Sequence, residues 1–301
     1  MHPTIPRATL RAAVALAAFV VPGCAPSRTP APTPSASATS AASAASAARA
    51  PLVIGETFTI ASSALGETRR INVYRPPVYG APADAPMPVL YMPDGGTAED
   101  FLHVAGLVQV SVGNGTMRPF MLVGIENTQR RRDMTGPTEV ADDRKIAPRV
   151  GGSAAFRAFI RDELMPEVKR RYATTTETAI VGESLAGLFV VETFLLDPAL
   201  FDTYIAFDPS LWWNGERLTK EAAGRLRARP ATPARTLYLA SSADRELSEP
   251  TGRLAAVLQE GAFPGLAWQH VPMLEERHST IYHPAALRAF RALFAPPPAA
   301  K

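Results

Sequence analysis

The sequence predicts an α/β domain with a mostly parallel central sheet and helices on both faces. Three observations predict it. Short apolar runs of strand length alternate with stretches of helical length and periodicity from residue 71 onward. Several of these runs have no polar alternation, as expected for strands covered on both faces. One of them, in "TAIVGESLAGLFVVETF" (178–194), passes through a tight Gly/Ser/Ala segment directly into a helical pattern.

The first 24 residues stand outside this pattern. Arg7 and Arg11 precede the apolar run "AAVALAAFVV" (12–21), which is too short to span a bilayer but suits a signal peptide core. The run ends in "VPGC" (21–24). This tetrapeptide resembles a bacterial lipobox, so Cys24, the one cysteine of the chain, is the expected lipidation site, with a plain cleaved signal as the alternative. Ala25 carries no aspartate-type signal for retention in the inner membrane, so a periplasm-facing outer-membrane lipoprotein is expected. Residues 25–50 are almost entirely Ala, Ser, Pro and Thr. They bury too little apolar surface to offset their ordering entropy and read as a tether. The remainder, 51–301, reads as the catalytic domain, with a folded part of about 245 residues, the size of one domain.

Within that domain, "INVYRPP" (71–77) and "MPVLYMPDGG" (87–96) read as strands closed by turn residues. A helical spacing follows in 97–110. "FMLVGIEN" (120–127) is a buried-type strand, and 153–172 is an amphipathic helix with Phe156, Phe159, Ile160, Leu164 and Val168 on its apolar side. Strand 177–182 and helix 185–196 flank the serine. Further strands are expected at 202–210, 235–242 and 267–274, with helices near 216–228, 247–260 and 284–294.

Composition narrows the function classes. Lys plus Arg number 31 against 28 Asp plus Glu, a net charge of +3 with no long basic run, which gives no support for a nucleic-acid partner. A lone cysteine excludes an intrachain disulfide and a cysteine zinc site, and no metal or cofactor is expected.

The serine stretch carries the chemistry. A serine on a tight turn between strand and helix is raised above the sheet as a nucleophile. The turn presses strand against helix, so the positions two before and two after the serine must be small. Gly182 and Ala186 satisfy this around Ser184, and the usual second glycine is displaced to Gly187. The plainer alternative is a tight turn with an incidental serine. A serine hydroxyl needs a base beside it. His2 lies in the leader, His103 in a helix, His270 inside a strand, and His283 at a helix start. His278 lies in "EERHST", a polar loop directly after the last strand, and is the candidate base. The acid is expected between Ser184 and His278 just past a strand. Asp244 after "LYLASS" is the candidate, Glu246 the runner-up, and a Ser–His dyad remains open. Oxyanion donors are expected at the Leu185 N–H and in "YMPDGG", at Gly95 and Gly96, where glycine lets backbone approach a ligand.

Together "YMPDGG", "VGIENTQRRRDMT", "GGSAAFRAFIRDELMPEVKRRY", "VGESLAG", "FDPSLWWN" and "RHSTIYHPAAL" resemble the putative-esterase branch of the α/β-hydrolases, which includes enterobactin-type siderophore esterases. The resemblance covers nearly all of 52–295. It implies the α/β-hydrolase fold, Ser184 as nucleophile, His278 as base and the "DGG" loop beside the oxyanion. The position of the family's acid varies. Asp208 stands where siderophore esterases tend to carry a serine, so their substrate is not carried over.

The expected activity is therefore hydrolysis of a small-molecule carboxylic ester through an acyl-enzyme, with siderophore-type, aryl and acyl esters all open. An acyltransferase on the same machinery and a non-catalytic binding lipoprotein are the alternatives. Arg130 and Arg132 follow a strand end and are candidates for pairing with an anionic substrate group, or else belong to a solvated or ion-paired loop. Trp212 and Trp213 are candidates for a substrate pocket, one of them packing in the core.

Overall fold

The computed structural model describes residues 50–228 and 231–297. The leader, Cys24 and the tether up to residue 49 lie outside the described residues. From Leu52 onward the described chain forms one compact unit.

Its centre is an eight-stranded sheet in the order β1-β2-β4-β3-β5-β6-β7-β8. Strand β1 is Glu56–Ser62, β2 Glu67–Tyr74, β3 Met87–Pro93 and β4 Met121–Ile125. Strand β5 is Thr174–Glu183, β6 Thr203–Phe207, β7 Arg235–Ser241 and β8 Leu266–Pro272. From β4 to β8 every neighbouring pair is parallel, whereas β2 runs antiparallel to both β1 and β4. The apolar runs explain the sheet interior: β3, β4 and β6 are buried at every residue, because helices cover both faces.

Helices α1 (Phe101–Gly113) and α8 (Tyr282–Leu293) supply one hydrophobic layer, through Phe101, Val104, Leu107, Val108, Ala286 and Phe290. The opposite layer takes α3 (Ser153–Phe159), α4 (Met165–Arg171), α5 (Leu185–Leu196), α6 (Trp213–Ala228) and α7 (Arg245–Glu260). Segment 153–172 is helical as its periodicity predicts, but one π turn, Ile160–Leu164, joins α3 to α4. Among the described residues no helix is long and apolar enough to cross a membrane.

Strand β1 lies outside the strands read from the sequence. Most of its residues are exposed or half-buried at the sheet edge, so its apolar content is too thin to mark it. Between β4 and α3, the four-residue helix α2 (Arg130–Asp133) is held by ion pairs rather than by an apolar face. Fully buried Arg69 on β2 donates to Asp133, which is also fully buried, and to Glu67. Arg132 bonds the same two carboxylates. Arg132 pulls the Glu67 carboxyl down to about 2, with burial opposing the shift.

Candidate active site

Strand β5 ends at Glu183, and α5 begins at Leu185. Ser184 alone makes the turn, with φ 61° and ψ −121°, a conformation that a non-glycine residue holds only when its surroundings impose it. Two backbone hydrogen bonds impose it here: Ser184 N–H to Phe207 O at 3.0 Å, and Ser210 N–H to Ser184 O at 3.0 Å. The crowding expected around the serine is present. A Cβ on Gly182 would lie 2.7–2.8 Å from Ala186 atoms, and one on Gly187 would lie 3.0 Å from Phe207 O. Gly187 is therefore needed not for the turn itself but for the contact of α5 with the end of β6.

The neighbouring strand brings the second residue. β5 and β6 pair in parallel with Glu183 opposite Phe207, so the residues that follow, Ser184 and Asp208, emerge side by side. Asp208 also has a positive φ, 39°, and is fully buried. Its Oδ1 accepts Ser242 N–H at 2.6 Å, and its Oδ2 faces His278 Nδ1 at 3.2 Å. The other ring nitrogen, Nε2, lies 3.1 Å from Ser184 Oγ. His278 sits in the loop between β8 and α8, and its imidazole is raised above its ordinary range. The hydrogen bond to Asp208 is the main cause; burial opposes it, and the charges of Glu183, Asp208 and Asp244 add to it.

The structure thus gathers Ser184 and His278, but it puts Asp208 and not Asp244 at the imidazole. Asp244 Oδ2 accepts the backbone N–H of His278 at 2.7 Å, and its Oδ1 accepts from Arg277 Nη1 at 3.1 Å. The carboxyl is held below its ordinary range by those bonds, the one from the His278 backbone first. Asp244 fixes the loop that carries the base without meeting the base's ring. Glu246 is exposed on the first turn of α7 and does not reach the imidazole. A carboxylate just past a strand end is the right kind of acid, but the strand is β6 and not β7, because β6 is the immediate neighbour of β5.

The glycine loop also differs from expectation. Gly95 N–H is spent on Ile125 O at 2.9 Å, and a Cβ there would meet Ile125 N at 2.2 Å. Gly95 is thus required by close backbone packing of the loop on β4 and has no N–H left for an oxyanion. Gly96 N–H points to Glu99 Oε2 at 2.7 Å, and the same carboxylate accepts Asn127 N–H. Leu185 N–H lies in the first turn of α5, where no intrahelical acceptor exists, and remains the available donor.

Arg130 binds Asp94 in a two-pronged pair at 2.6 and 2.8 Å, while Arg132 is consumed by Glu67 and Asp133. Arg132 belongs to the ion-paired network under α2, so the substrate-pairing expectation is not supported for it. Trp213 is the core tryptophan of the pair. It is buried, donates Nε1–H to Gly136 O at 2.9 Å, and walls a cavity of about 240 Å³ with Leu188, Glu192 and Leu218. Trp212 is half-buried and meets it edge to face at 6.0 Å. Of the remaining described histidines, His270 bonds Ser241 Oγ at 2.9 Å and His103 faces Asp100 at 3.3 Å, both away from Ser184. No group of metal-ligating side chains occurs among the described residues.

A parallel sheet with β2 reversed, a strained serine between the fifth strand and the next helix, and a histidine after the last strand define the α/β-hydrolase class. Within it, the chain belongs to the family described as "Putative esterase", whose match spans residues 62–254. It is 31% identical over 179 residues to the ferri-bacillibactin esterase BesA of Bacillus subtilis, covering 53% of this chain and 60% of that protein. It is 31% identical over 147 residues to a siderophore triacetylfusarinine C esterase of Aspergillus fumigatus, covering 46% and 49%. The chain thus spans about half the length of the curated relatives it matches. An IroE-like serine hydrolase of Shewanella oneidensis superposes with a TM-score of 0.72 at 26% identity, over 80% of each chain.

Proposed function

We propose that this protein hydrolyses carboxylic esters through an acyl-enzyme. The observation that carries the reading is the unbroken contact chain Ser184 Oγ, His278 Nε2, His278 Nδ1, Asp208 Oδ2, assembled from the ends of β5 and β6 and the loop after β8. In the first step Ser184 Oγ bonds to the ester carbonyl carbon and its proton passes to His278 Nε2. The carbonyl π electrons move onto oxygen, where Leu185 N–H donates. Collapse of this intermediate expels the alcohol, which takes the proton from His278. Water then repeats the sequence against the acyl-serine: it gives its proton to His278, and the acid leaves as the proton returns to Ser184. Buried Asp208 holds Nδ1–H and so keeps Nε2 free to accept.

Siderophore-type esters are the favoured substrates, because the relatives with the stated coverage are named for such esters. Arg130 stays a candidate for substrate contact, since its guanidinium already turns toward the strand ends that carry the site. The exported, lipid-tethered state at Cys24 belongs to the same proposal and is supported by "VPGC" and the tether alone. Hydrolysis of a panel of siderophore, aryl and short acyl esters by wild type and Ser184→Ala tests the activity. Turnover should fall by about 10⁶-fold in the variant, and a fluorophosphonate should label only the wild type. Equal labelling of both would remove Ser184 from the role.

A further inference from the structure

The position before the nucleophile holds a carboxylate that the reaction above does not use. Glu183 Oε1 lies 3.2 Å from His278 Nδ1, the same distance as Asp208 Oδ2. The two contacts differ in kind. Asp208 meets the imidazole in hydrogen-bond geometry, whereas Glu183 stands beside the same nitrogen without a directed bond. Its side chain is only 16% exposed, and among the described residues no hydrogen-bond donor serves its carboxylate. An ionised group in that setting is costly unless an opposing charge compensates it.

The charged groups around it come from every strand end in the site. Asp94 after β3, Asp100 before α1 and Asp208 after β6 are negative. Arg130 on α2 is positive but already shared with Asp94, and Asp244 lies beyond the imidazole at the start of α7. The one partner whose charge changes during the reaction is His278.

We propose that Glu183 is a positioning residue for His278: a second carboxylate on its Nδ1 side that stabilises the imidazolium formed as Ser184 attacks. The inference rests on the serine-hydrolase reading. A carboxylate beside neutral imidazole gains little, and beside imidazolium gains a full ion pair, so its effect is larger in the transition state than in the resting enzyme. No fold requirement explains a glutamate here. The turn needs small residues at Gly182 and Ala186, not a carboxylate at 183.

Burial pushes the Glu183 carboxyl up to about 7, with His278 and Arg130 pulling it down and Asp100 and Asp208 adding to the rise. Its charge is therefore present above that value and lost as the pH falls through it. His278 must also lose its proton to act as base, so both ionisations fall on the acidic limb of the rate profile and couple to each other.

The test uses Glu183→Gln and Glu183→Asp. In Glu183→Gln the plateau of kcat/KM should fall about tenfold, and the acidic limb should move down by about one pH unit, because the negative charge that raises His278 is gone. Glu183→Asp retains the charge at shorter reach and should keep part of both effects. NMR titration of the His278 ring nitrogens, in the wild-type and Ser184→Ala backgrounds, reads the same charge without turnover. It should show His278 titrating about one unit lower once Glu183→Gln is introduced. Unchanged titration in both backgrounds overturns the proposal even if the enzyme is a serine esterase. A changed titration with no fluorophosphonate labelling of the wild type would instead bring down the hydrolase reading and, with it, the role in catalysis. If Glu183→Gln unfolds, the wild-type protein decides. Coupled groups titrate in two steps seen by both, so the His278 nitrogens and the Glu183 carboxyl carbon should share their inflections. Independent single steps at the two residues overturn the proposal.

Discussion

Replacing Asp208 by asparagine exchanges one oxygen for an NH₂ group where the structure leaves no freedom to accommodate it. One carboxylate oxygen accepts Ser242 N–H at 2.6 Å, so in Asp208→Asn the amide oxygen must take that place. The NH₂ then faces His278 Nδ1 at about the present separation of 3.2 Å. Two donors cannot face each other, so Nδ1 must give up its proton and the ring must carry it on Nε2, opposite Ser184 Oγ. The imidazole is then in the wrong tautomer to accept the serine proton. A loss of up to about 10⁴ in kcat/KM is expected, about 5.4 kcal/mol of transition-state stabilisation, with the fold retained because the side-chain volume is unchanged. Glu183 on the same nitrogen softens the loss toward about 10³ by favouring a proton at Nδ1. Asp244→Asn is the control. Its partner is a backbone N–H, which an amide oxygen still accepts, so the loss should stay below about tenfold. Initial rates on one chromogenic ester, with circular dichroism to verify folding, decide between them. A severe loss in Asp244→Asn together with a loss below about tenfold in Asp208→Asn would refute the assignment of Asp208 and the tautomer reasoning behind it.

The hydrogen bond to Asp208 raises the His278 imidazole above its ordinary range, so its charge stabilises the fold below about pH 6.5 and this contribution disappears as the pH rises through the folded value. Replacing His278 with glutamine should make that part of the stability profile shallower, leaving the slope of the same sign that Glu183 contributes, read by thermal melts across about pH 5 to 8. Gly95→Ala should lower stability by about 3 kcal/mol or more, because its Cβ would sit 2.2 Å from backbone nitrogen of β4; a denaturant titration within about 1 kcal/mol of wild type would contradict the packing account. Mass spectrometry of the mature protein from its native host should find a diacylglyceryl group on Cys24, and an unmodified thiol there would exclude the lipid anchor.

The fold class was legible because a doubly covered sheet demands short, fully apolar strands, and this chain supplies them between helical stretches. Helix α5 begins and ends where its apolar pattern does, and β3, β4 and β7 coincide with their runs to within a few residues. Ser184 was legible for a similar local reason: steric crowding at the turn dictates Gly182 and Ala186 within a few residues of it. His278 was legible as a polar histidine in a loop at the sheet's far edge. The partner of its Nδ1 was not, because the acid is chosen by which strands lie side by side and in what register. Asp208 and Asp244 both follow apolar strands, and only the pairing of β5 with β6, Glu183 against Phe207, brings the first into the site and leaves the second to hold a backbone N–H. The same holds for the glycine loop and the arginines. Turn chemistry announced Gly95 and Gly96, but the tertiary contacts of the loop with Ile125 and Glu99 determine which N–H is spent. Arg130 and Arg132 are two residues apart in one short helix, yet one turns to Asp94 just past the end of central strand β3 and the other to buried Asp133 and to Glu67. Sequence sets what each residue can do within its own few turns of chain. Charges act through space, so their partners are fixed only when distant strand ends are brought within a few ångströms of one another.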